Sequence, residues 1–347
     1  TLMHVAWCMN EEWNRQILTA YLKDSLSETI LRSQPFDHSQ HHWPEPNQCR
    51  RLRIGYVSWD FFDHATLHLM GGVLALHDKT RVEVFAYDYS PKDSSRFRKR
   101  FESSIDYIVD IGSMSDIQAA ERIYADQIDI LVDLKGPTAH TRPGIFAMRP
   151  APVQVTWLGF PGSSGLEQMD YILGDATVLP DGSQSHYPEK FCRLPDTYQP
   201  NDYERPIGDA GGGRSDWGLP ESGTVFCSFN QSYKIDRITF DTWLQVLAAV
   251  PGSVLWLLDP GLEAQDNLRL AAQAKGIDPH RLIYTPKVPT PLHMARLPLA
   301  DLCLDTRVYN GHTTTSDALW MGVPVVTAPG AHFASRVSAS LLRAVDM

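Results

Sequence analysis

The sequence has no D-x-D pair of carboxylates, no P-loop and no apolar run long enough to cross a membrane. Without D-x-D, no obvious side chains would hold Mg²⁺ against a diphosphate, so neutralisation of such a ligand falls to lysine and to helix N-termini. The glycine-rich stretch DAGGGRS lacks the GK[ST] of a P-loop and does not follow a predicted strand. Without a long apolar run, no membrane span and no membrane partner are predicted.

Cysteine and positive charge are also scarce. The five cysteines are odd in number, scattered and in no C-x-x-C pair, which predicts reduced thiols in a cytoplasmic protein. They are Cys8, Cys49, Cys192, Cys227 and Cys303. The formal net charge of −10 argues against a nucleic-acid partner held by phosphate neutralisation. The start, TLMHVAWCMNEEW, turns polar too early for a signal peptide, and the missing initial Met leads us to expect a shortened chain.

Short β-branched runs alternate with amphipathic runs from residue 53 onward. Six such runs predict strands, at 53–58, 82–89, 107–111, 128–134, 153–159 and 170–175. The alternation restarts after a stretch rich in Pro and Gly and continues to the end of the chain. This pattern predicts an α/β protein with two doubly wound domains, each with a parallel sheet.

Four segments follow from the pattern. Residues 1–49 are predicted to form a helical segment and a polar connector, and residues 50–200 a first Rossmann-like domain. Residues 201–221 are predicted to form a surface linker, and residues 222–347 a second Rossmann-like domain. In such sheets ligands bind beyond the carboxyl ends of the strands. We therefore expect the site in a cleft that the two domains face.

The segment NGHTTTSD at 310–317 follows a predicted strand and opens a helix. Orphan N–H groups and the positive dipole end at a helix start favour an anion. His312, Thr313 and Thr314 could donate to a diphosphate, and Asp317, one turn further on, could accept from a ribose hydroxyl. Threonine is also a common N-cap and aspartate is favoured in a first turn, so this segment alone leaves both interpretations open.

Two other segments of the second domain carry candidate ligand-binding side chains. FNQSYKID at 229–236 places Gln231 and Lys234 where the first strand of that domain ends. Lysine at a helix start opposes the helix dipole, which favours a bound anion over a solvated terminus. VPTPLHMARL places His293 and Arg296 three residues apart on one helix face, suited to a base or a phosphate, although such a pair is more often a surface feature.

In the first domain, SWDFFDHATLHLM follows the first predicted strand. Asp60 and His64 at its carboxyl end suit general-base chemistry, with a capping aspartate beside packed histidines as the competing interpretation. His64 and His68 could ligate a metal, but no third ligand stands out and HExxH is absent, so no metal site is predicted. The Pro-rich KGPTAHTRPGIFAMRPAP lies at another strand end and predicts a contribution to the shape of the cleft without chemistry.

Together these segments resemble the catalytic region of protein O-linked N-acetylglucosamine transferases. The resemblance rests on RLRIGYVSWDFFDHATLHLM, RPAPVQVTWLGFPGSSG, FNQSYKID, VPGSVLWLL and CLDTRVYNGHTTTSDALWMGVPVVT, in that order over roughly residues 50–347. It implies the GT-B fold, two Rossmann-like domains facing a cleft and preceded by a helical segment. The first domain would lie on the acceptor side, and the second, truncated here, would bind the UDP-sugar.

The resemblance implies an inverting, metal-independent transfer of N-acetylglucosamine from UDP-N-acetylglucosamine to Ser or Thr hydroxyls of proteins, with no cofactor. It assigns catalytic positions to His4, Asp60, His64 and Lys234. The general base stays open between His4, Asp60 acting through water, and a phosphate of the substrate. The implied donor-binding residues are Gln231, Lys234, Val288, His293, Arg296, His312, Thr313, Thr314 and Asp317. Among these, Val288 and His293 are assigned to uracil and Asp317 to ribose. The residues assigned to the diphosphate are Gln231, Lys234, His312, Thr313 and Thr314.

Departures from the family pattern leave some points open. Tyr309 stands where animal members have a small residue against the sugar, and Thr290 replaces a lysine near the base, so the donor sugar stays open. The glycine-rich linker stands where animal members carry a large insert, which suggests a bacterial-type protein. The family's tetratricopeptide superhelix recruits acceptors, but no 34-residue repeat occurs in this chain, so its acceptors are not predicted.

Two alternative functions remain. One is a related protein O-fucosyltransferase that uses GDP-fucose, as in SPINDLY-like relatives, and the other is a non-catalytic scaffold that binds a sugar nucleotide. GHTTT and NQSYK favour UDP, because those relatives tend to lack that His and that Gln.

Calorimetric titration with UDP and with GDP separates the two donors. We expect saturable binding of UDP and much weaker binding of GDP, because the residues around 231 and 312 match the pattern of UDP-using members. Tight binding of GDP without binding of UDP would overturn this choice.

Overall fold

The computed structural model describes residues 4–44 and 50–347. It divides into two compact units, one made of His4 and residues 10–204, the other of Val5–Met9 and residues 205–347. The end of the predicted connector, 45–49, and Cys49 with it lie outside the described residues. Each unit is an α/β structure around one parallel sheet, which confirms the predicted fold class.

The first unit is built on a seven-stranded sheet. Its strands are β1 (Leu52–Ser58), β2 (Val82–Asp88), β3 (Tyr107–Asp110), β4 (Ile130–Asp133), β5 (Val153–Thr156), β6 (Tyr171–Asp175) and β7 (Lys190–Leu194). The spatial order is β3-β2-β1-β4-β5-β6-β7, and all neighbouring strands are parallel. The order reverses between β1 and β4, and at such a point the diverging connections leave a crevice beyond the carboxyl ends of the strands.

Four of the six helices that the structure describes in the first unit begin where a short polar side chain caps them. They are α1 (Glu11–Ser25), α2 (Glu28–Arg32), α3 (Ala65–Ala75), α4 (Arg96–Ser104), α5 (Asp116–Ala125) and α6 (Pro143–Ala147). Ser115 caps α5 through a capping box with Gln118, and Ser95 caps α4. Among the described residues, no helix is both long and apolar enough to span a bilayer.

The helical segment before the first strand is part of the first unit's core. Leu18 and Leu22 on α1 are buried in the same cluster as Val57 of β1 and Tyr87 of β2. Gly165 allows this close approach, because a Cβ there would stand 2.6 Å from the Leu18 Cγ. Burial of these leucines gives α1 a stability that its own length would not provide.

The polar connector is attached to the sheet through one buried carboxylate, Asp129, just before β4. His41 Nε2 lies 2.7 Å from Asp129 Oδ1, and the backbone N–H of Arg53 donates to Oδ2 at 2.7 Å. The Arg50 guanidinium donates to both oxygens, at 2.5 and 3.0 Å. His41 is therefore largely buried against this carboxylate.

The second unit repeats the plan with five strands. They are β8 (Val225–Ser228), β9 (Val254–Leu258), β10 (Leu282–Thr285), β11 (Leu302–Leu304) and β12 (Val325–Val326). The order is β10-β9-β8-β11-β12, again with parallel neighbours, and it reverses between β8 and β11. The helices are α7 (Arg237–Ala249), α8 (Leu262–Ala274), α9 (Thr290–Arg296), α10 (Thr313–Trp320) and α11 (Val337–Arg343).

Both faces of this second sheet are covered. Val225 and Trp256 contribute to the core on one face, whereas Phe226, Leu255 and Leu257 contribute to a separate core on the other. Alternate side chains of a strand point to opposite faces, so a strand buried on both faces is a continuous apolar run. VLWLL in β9 has this composition.

The predicted surface linker is not at the surface where it begins. Asp202 and Arg205 are buried, and Asp202 accepts a hydrogen bond from Arg100. Gly71 on α3 makes room for this carboxylate, because a Cβ there would lie 2.7 Å from Asp202 Oδ2. Composition rich in Pro and Gly indicated the irregular backbone correctly but did not reveal the two buried charges within it.

Removal of the Asp129 carboxylate should destabilise the first unit strongly. We expect Asp129→Ala to lower the free energy of unfolding by about 3–5 kcal/mol, because Arg50 and His41 lose a buried partner. Urea unfolding of the wild type and the variant measures this.

Glu121→Ala, at an exposed position on α5 of the same unit, is the matched control and should change stability by less than about 0.5 kcal/mol. An equally small effect of Asp129→Ala would show that the connector is not held by this carboxylate.

Candidate functional site

Most of the candidate residues in the second unit gather at the carboxyl ends of β8 and β11, where the strand order reverses. Lys234 lies in a single 3-10 turn after β8, and its ammonium is buried. Its Nζ donates to the Asn310 carbonyl at 2.9 Å and lies 3.8 Å from the centroid of the Tyr309 ring. Burial lowers the Lys234 pKa to about 8, with the Asp305 carboxylate acting in the opposite direction.

The loop after β11 is organised by the buried carboxylate of Asp305. It accepts from the backbone N–H of Gly311 at 2.6 Å and of Thr306 at 2.8 Å, and from the Thr327 hydroxyl at 2.7 Å. Gly311 has no room for a side chain, because a Cβ would come within 2.5 Å of the Thr315 hydroxyl oxygen. These contacts fix the backbone that leads into α10.

The start of α10 joins the two loops. Thr314 Oγ1 donates to Asn230 Oδ1 at 2.7 Å, and Asn230 Nδ2 donates to Thr306 Oγ1 at 3.1 Å. His312 occupies the N-cap position, and burial together with the Lys234 charge lowers its pKa well below the usual value. Thr313, the first residue of α10, is half-buried. A neutral imidazole, a buried ammonium and a helix N-terminus therefore lie together, which suits an anionic ligand.

A second group forms around α9. The Arg296 guanidinium is buried among the rings of Trp217, Phe229 and Trp256, with its Cζ 5.0 to 5.7 Å from their centroids. Its Nη2 lies 3.2 Å from His293 Nδ1. Burial, then the charge of Arg296, lowers the His293 pKa to about 4, so this ring is neutral near pH 7. The pair is thus not a surface feature.

Two predicted donor-binding residues lie at the edges of these groups. Val288 lies half-buried in the loop that precedes α9, and Gln231 is exposed beside the Lys234 turn. Both still border the groups described above along the chain. Their assignment stays a prediction.

Arg205 is a residue that the sequence analysis passed over. Its Nη2 donates to Asp317 Oδ1, and its side chain is only 1% exposed. Burial raises the Asp317 pKa to about 6 although Arg205 acts to lower it. Arg205 Nε and Nη1 are buried with no hydrogen-bond partner within residues 4–44 and 50–347. The only sequence signal was one of two arginines in the predicted linker, and nothing there linked it to position 317.

In the first unit, Asp60 and His64 come together at the start of α3. Asp60 is buried, and its Oδ2 lies 3.8 Å from His64 Nδ1. His64 is the N-cap of α3 and accepts from the Thr66 backbone N–H at Nδ1, so its neutral ring carries the proton on Nε2. Lys135, which the sequence analysis assigned no chemistry, donates to both Asp60 oxygens.

His4 opens a single 3-10 turn at the start of the described chain. Burial lowers the pKa of this half-buried imidazole, and its ring centroid lies 6.3 Å from that of Phe160. Among the described residues, no group of three or more His, Cys, Asp or Glu side chains is arranged to hold a metal ion.

Comparison with known proteins gives a consistent result. The sequence profile described as glycosyl transferase family 41 matches residues 18–209 and 210–347. A probable UDP-N-acetylglucosamine–peptide N-acetylglucosaminyltransferase, SEC, of Arabidopsis thaliana is 42% identical over 303 residues, covering 86% of this chain and 31% of that protein. A UDP-N-acetylglucosamine–peptide N-acetylglucosaminyltransferase of Caenorhabditis elegans is 30% identical over 436 residues, covering 93% and 38%.

Among solved structures, a mutant O-GlcNAc transferase of Thermobaculum terrenum is similar at a TM-score of 0.85 and 32% identity. The likeness covers 99% of this chain and 64% of that one. The chain spans about a third of the length of the two curated relatives.

The buried lysine should cost the second unit stability. The folded state releases the Lys234 proton near pH 8, whereas the unfolded chain keeps it to about pH 10.4, so stability rises with pH between these values. Replacement by methionine removes the penalty, and we expect Lys234→Met to raise the free energy of unfolding near pH 7 by about 1–3 kcal/mol.

Urea unfolding near pH 7 and near pH 10 tests this, and the gain should shrink at the higher pH. Lys287→Met, at an exposed position of the same unit, is the control and should change little at either pH. A loss of stability in Lys234→Met near pH 7 would contradict the expectation.

Proposed function

The chain belongs to glycosyl transferase family 41 and has the GT-B fold, and from this premise we propose that it transfers N-acetylglucosamine from UDP-N-acetylglucosamine to Ser or Thr hydroxyls of proteins. The transfer proceeds with inversion at the anomeric carbon and without a metal ion. The partners are a UDP-sugar and a protein or peptide acceptor, and neither nucleic acid nor a membrane takes part.

The observation that carries this proposal is the buried ammonium of Lys234 beside the start of α10. A cation that loses its hydration is unfavourable unless an anion approaches it. Lys234 and the positive end of the α10 dipole supply two positive potentials in a region with little water. A diphosphate fits this region because its charge increases as the glycosidic bond breaks.

The remaining second-unit residues would hold the nucleoside and the diphosphate. His312, Thr313, Thr314 and Gln231 would contact the phosphates, with neutral His312 as a donor or acceptor without added charge. The neutral His293 ring and the backbone at Val288 would bind uracil, and Arg296 would fix the orientation of the His293 ring. Asp317, paired with Arg205, would accept from the ribose hydroxyls.

In the reaction, the acceptor oxygen forms a bond to the anomeric carbon while the bond from that carbon to the β-phosphate oxygen breaks. The bonding electrons leave with UDP, where Lys234 stabilises them, and this is the largest catalytic contribution. The hydroxyl proton passes to a base. His4, Asp60 and His64 belong to the acceptor side, where neutral His64 would donate from Nε2.

The proposal also includes a cellular compartment and an association with another structural element. We place the protein in the cytoplasm, supported by Cys227 and Cys303, which face each other on paired strands as free thiols. We also propose an association with a tetratricopeptide superhelix that recruits acceptors, supported by the small share of the relatives' length that this chain spans.

A single-turnover assay tests the function. The wild type, labelled UDP-N-acetylglucosamine and a cell lysate should give labelled proteins whose modified Ser and Thr are located by mass spectrometry. Lys234→Ala should lower the rate of transfer by about 100-fold or more, because the leaving diphosphate loses its cation.

Lys287→Ala is the matched control and should transfer at the wild-type rate, since this side chain is exposed in the same unit. A wild type that binds UDP but modifies no protein would instead identify a sugar-nucleotide-binding scaffold.

A further inference from the structure

A buried ion pair joins the two central strands of the first sheet at their carboxyl ends. Lys135 follows β4 and Asp60 follows β1, which are neighbours in the sheet. Lys135 Nζ donates to Asp60 Oδ1 at 3.1 Å and to Oδ2 at 2.9 Å. The two side chains are 8% and 4% exposed, so water screens this contact very little.

The backbone around Lys135 is fixed for this purpose. The Asp133 carboxylate, at the end of β4, accepts from the backbone N–H of Lys135 at 2.8 Å and of Gly136 at 3.1 Å. Gly136 has φ +55°, and a Cβ there would lie 2.7 Å from the Phe160 Cβ. This tight turn points the lysine back across the carboxyl edge of the sheet rather than into solvent.

Such a pair is a poor way to stabilise a fold. Removing two charges from water costs about as much as their attraction returns, and apolar side chains of similar volume often do better. The pair also lies at the point where the strand order reverses, which is the ligand-binding position in sheets of this kind. Its energetics and its place together indicate a role in the site.

We propose that Lys135 is a positioning residue of the acceptor side, which holds Asp60 as a carboxylate anion with both oxygens engaged. The proposal rests on the proposed function. Asp60 then orients the groups around it but does not take the proton of the acceptor hydroxyl. That proton is transferred to a different base.

The surroundings of Asp60 fit this division of roles. His64 Nδ1 lies 3.8 Å from Asp60 Oδ2 and is engaged by the Thr66 backbone N–H, and the Thr66 hydroxyl donates to the same Oδ2 at 3.4 Å. Two other ionisable groups, Asp133 and Tyr89, face Asp60. Burial raises the pKa of Asp133 to about 6 and raises the pKa of Tyr89 well above its usual value. The Lys135 ammonium compensates the negative charge that this group of carboxylates brings together.

The experiment measures kcat and KM for an acceptor peptide between about pH 5 and pH 9 in four proteins. They are the wild type, Lys135→Met, Lys135→Arg and the double variant Asp60→Asn with Lys135→Met. We expect Lys135→Met to lower kcat by about 10- to 100-fold near pH 6 and by less near pH 8, because loss of the buried cation disfavours the carboxylate form of Asp60 most in acid. Lys135→Arg, which keeps the charge, should keep the wild-type pH profile.

The double variant should stay slow at every pH, because no carboxylate remains to be ionised. If Lys135 serves only the fold, the Lys135→Met profile will run parallel to that of the wild type. A double variant as fast as the wild type would likewise overturn the proposal. A fifth protein, Asp60→Asn alone, separates the two roles of this carboxylate. If the wild type loses kcat in acid and Asp60→Asn does not, Asp60 is the base and the proposal is overturned.

Two further measurements keep the outcomes separate. Calorimetry with UDP should give the wild-type affinity in all four proteins, since the proposed nucleotide site lies in the second unit. Urea unfolding of the wild type, both single variants and the double variant should show a double variant more stable than Lys135→Met, because it no longer buries an unpaired charge. A wild type that binds UDP without transfer defeats the proposed function and the role of Lys135 with it, whereas parallel pH profiles in an active enzyme defeat the role of Lys135 alone.

Discussion

Burial of the Lys234 ammonium is unfavourable unless negative charge or a π face stands against it, and the loop after β11 is built around that constraint. The Asn310 carbonyl and the Tyr309 ring contact the ammonium directly. Asp305 lies buried behind them and holds the backbone of the same loop through Gly311. The lowered pKa of the lysine shows that these contacts compensate only part of the lost hydration. The proposed diphosphate ligand would supply the rest, so this arrangement would be unfavourable for the fold and favourable for binding.

Both units use the same geometry to assemble charged groups. In the second unit the contact between Lys234 and Asn310 joins residues 76 positions apart, and in the first the contact between Lys135 and Asp60 joins residues 75 apart. Each pair follows two parallel strands that are neighbours where the strand order reverses. Parallel strands bring their carboxyl ends to one edge of the sheet, so side chains far apart in sequence meet there. Helix starts at the same edge add their dipoles.

The regular elements were largely predictable, because buried parallel strands are apolar and β-branched whatever surrounds them. VEVFAYD is an example, because it forms a strand at Val82–Asp88 within the predicted range 82–89. β7 was missed because KFCRL, at the edge of the sheet, mixes charged with apolar residues and is mostly exposed. The prediction that the linker begins at the surface was wrong. Its composition is that of a surface segment, but Asp202 and Arg205 find buried partners that no local pattern reveals.

The fold class, the family and the polar segments at the strand ends could be predicted from the amino-acid sequence, because each depends on short stretches whose meaning is local. His312, Thr314, Lys234 and Asp60 could be predicted as candidate site residues in this way. The tertiary structure decided which charges meet. That Arg205 pairs with Asp317 and Lys135 with Asp60 depends on the spatial order of the strands and on burial. Electrostatic interactions act between groups that are close in space and shielded from water, and neither property is written in the spacing of residues along a chain.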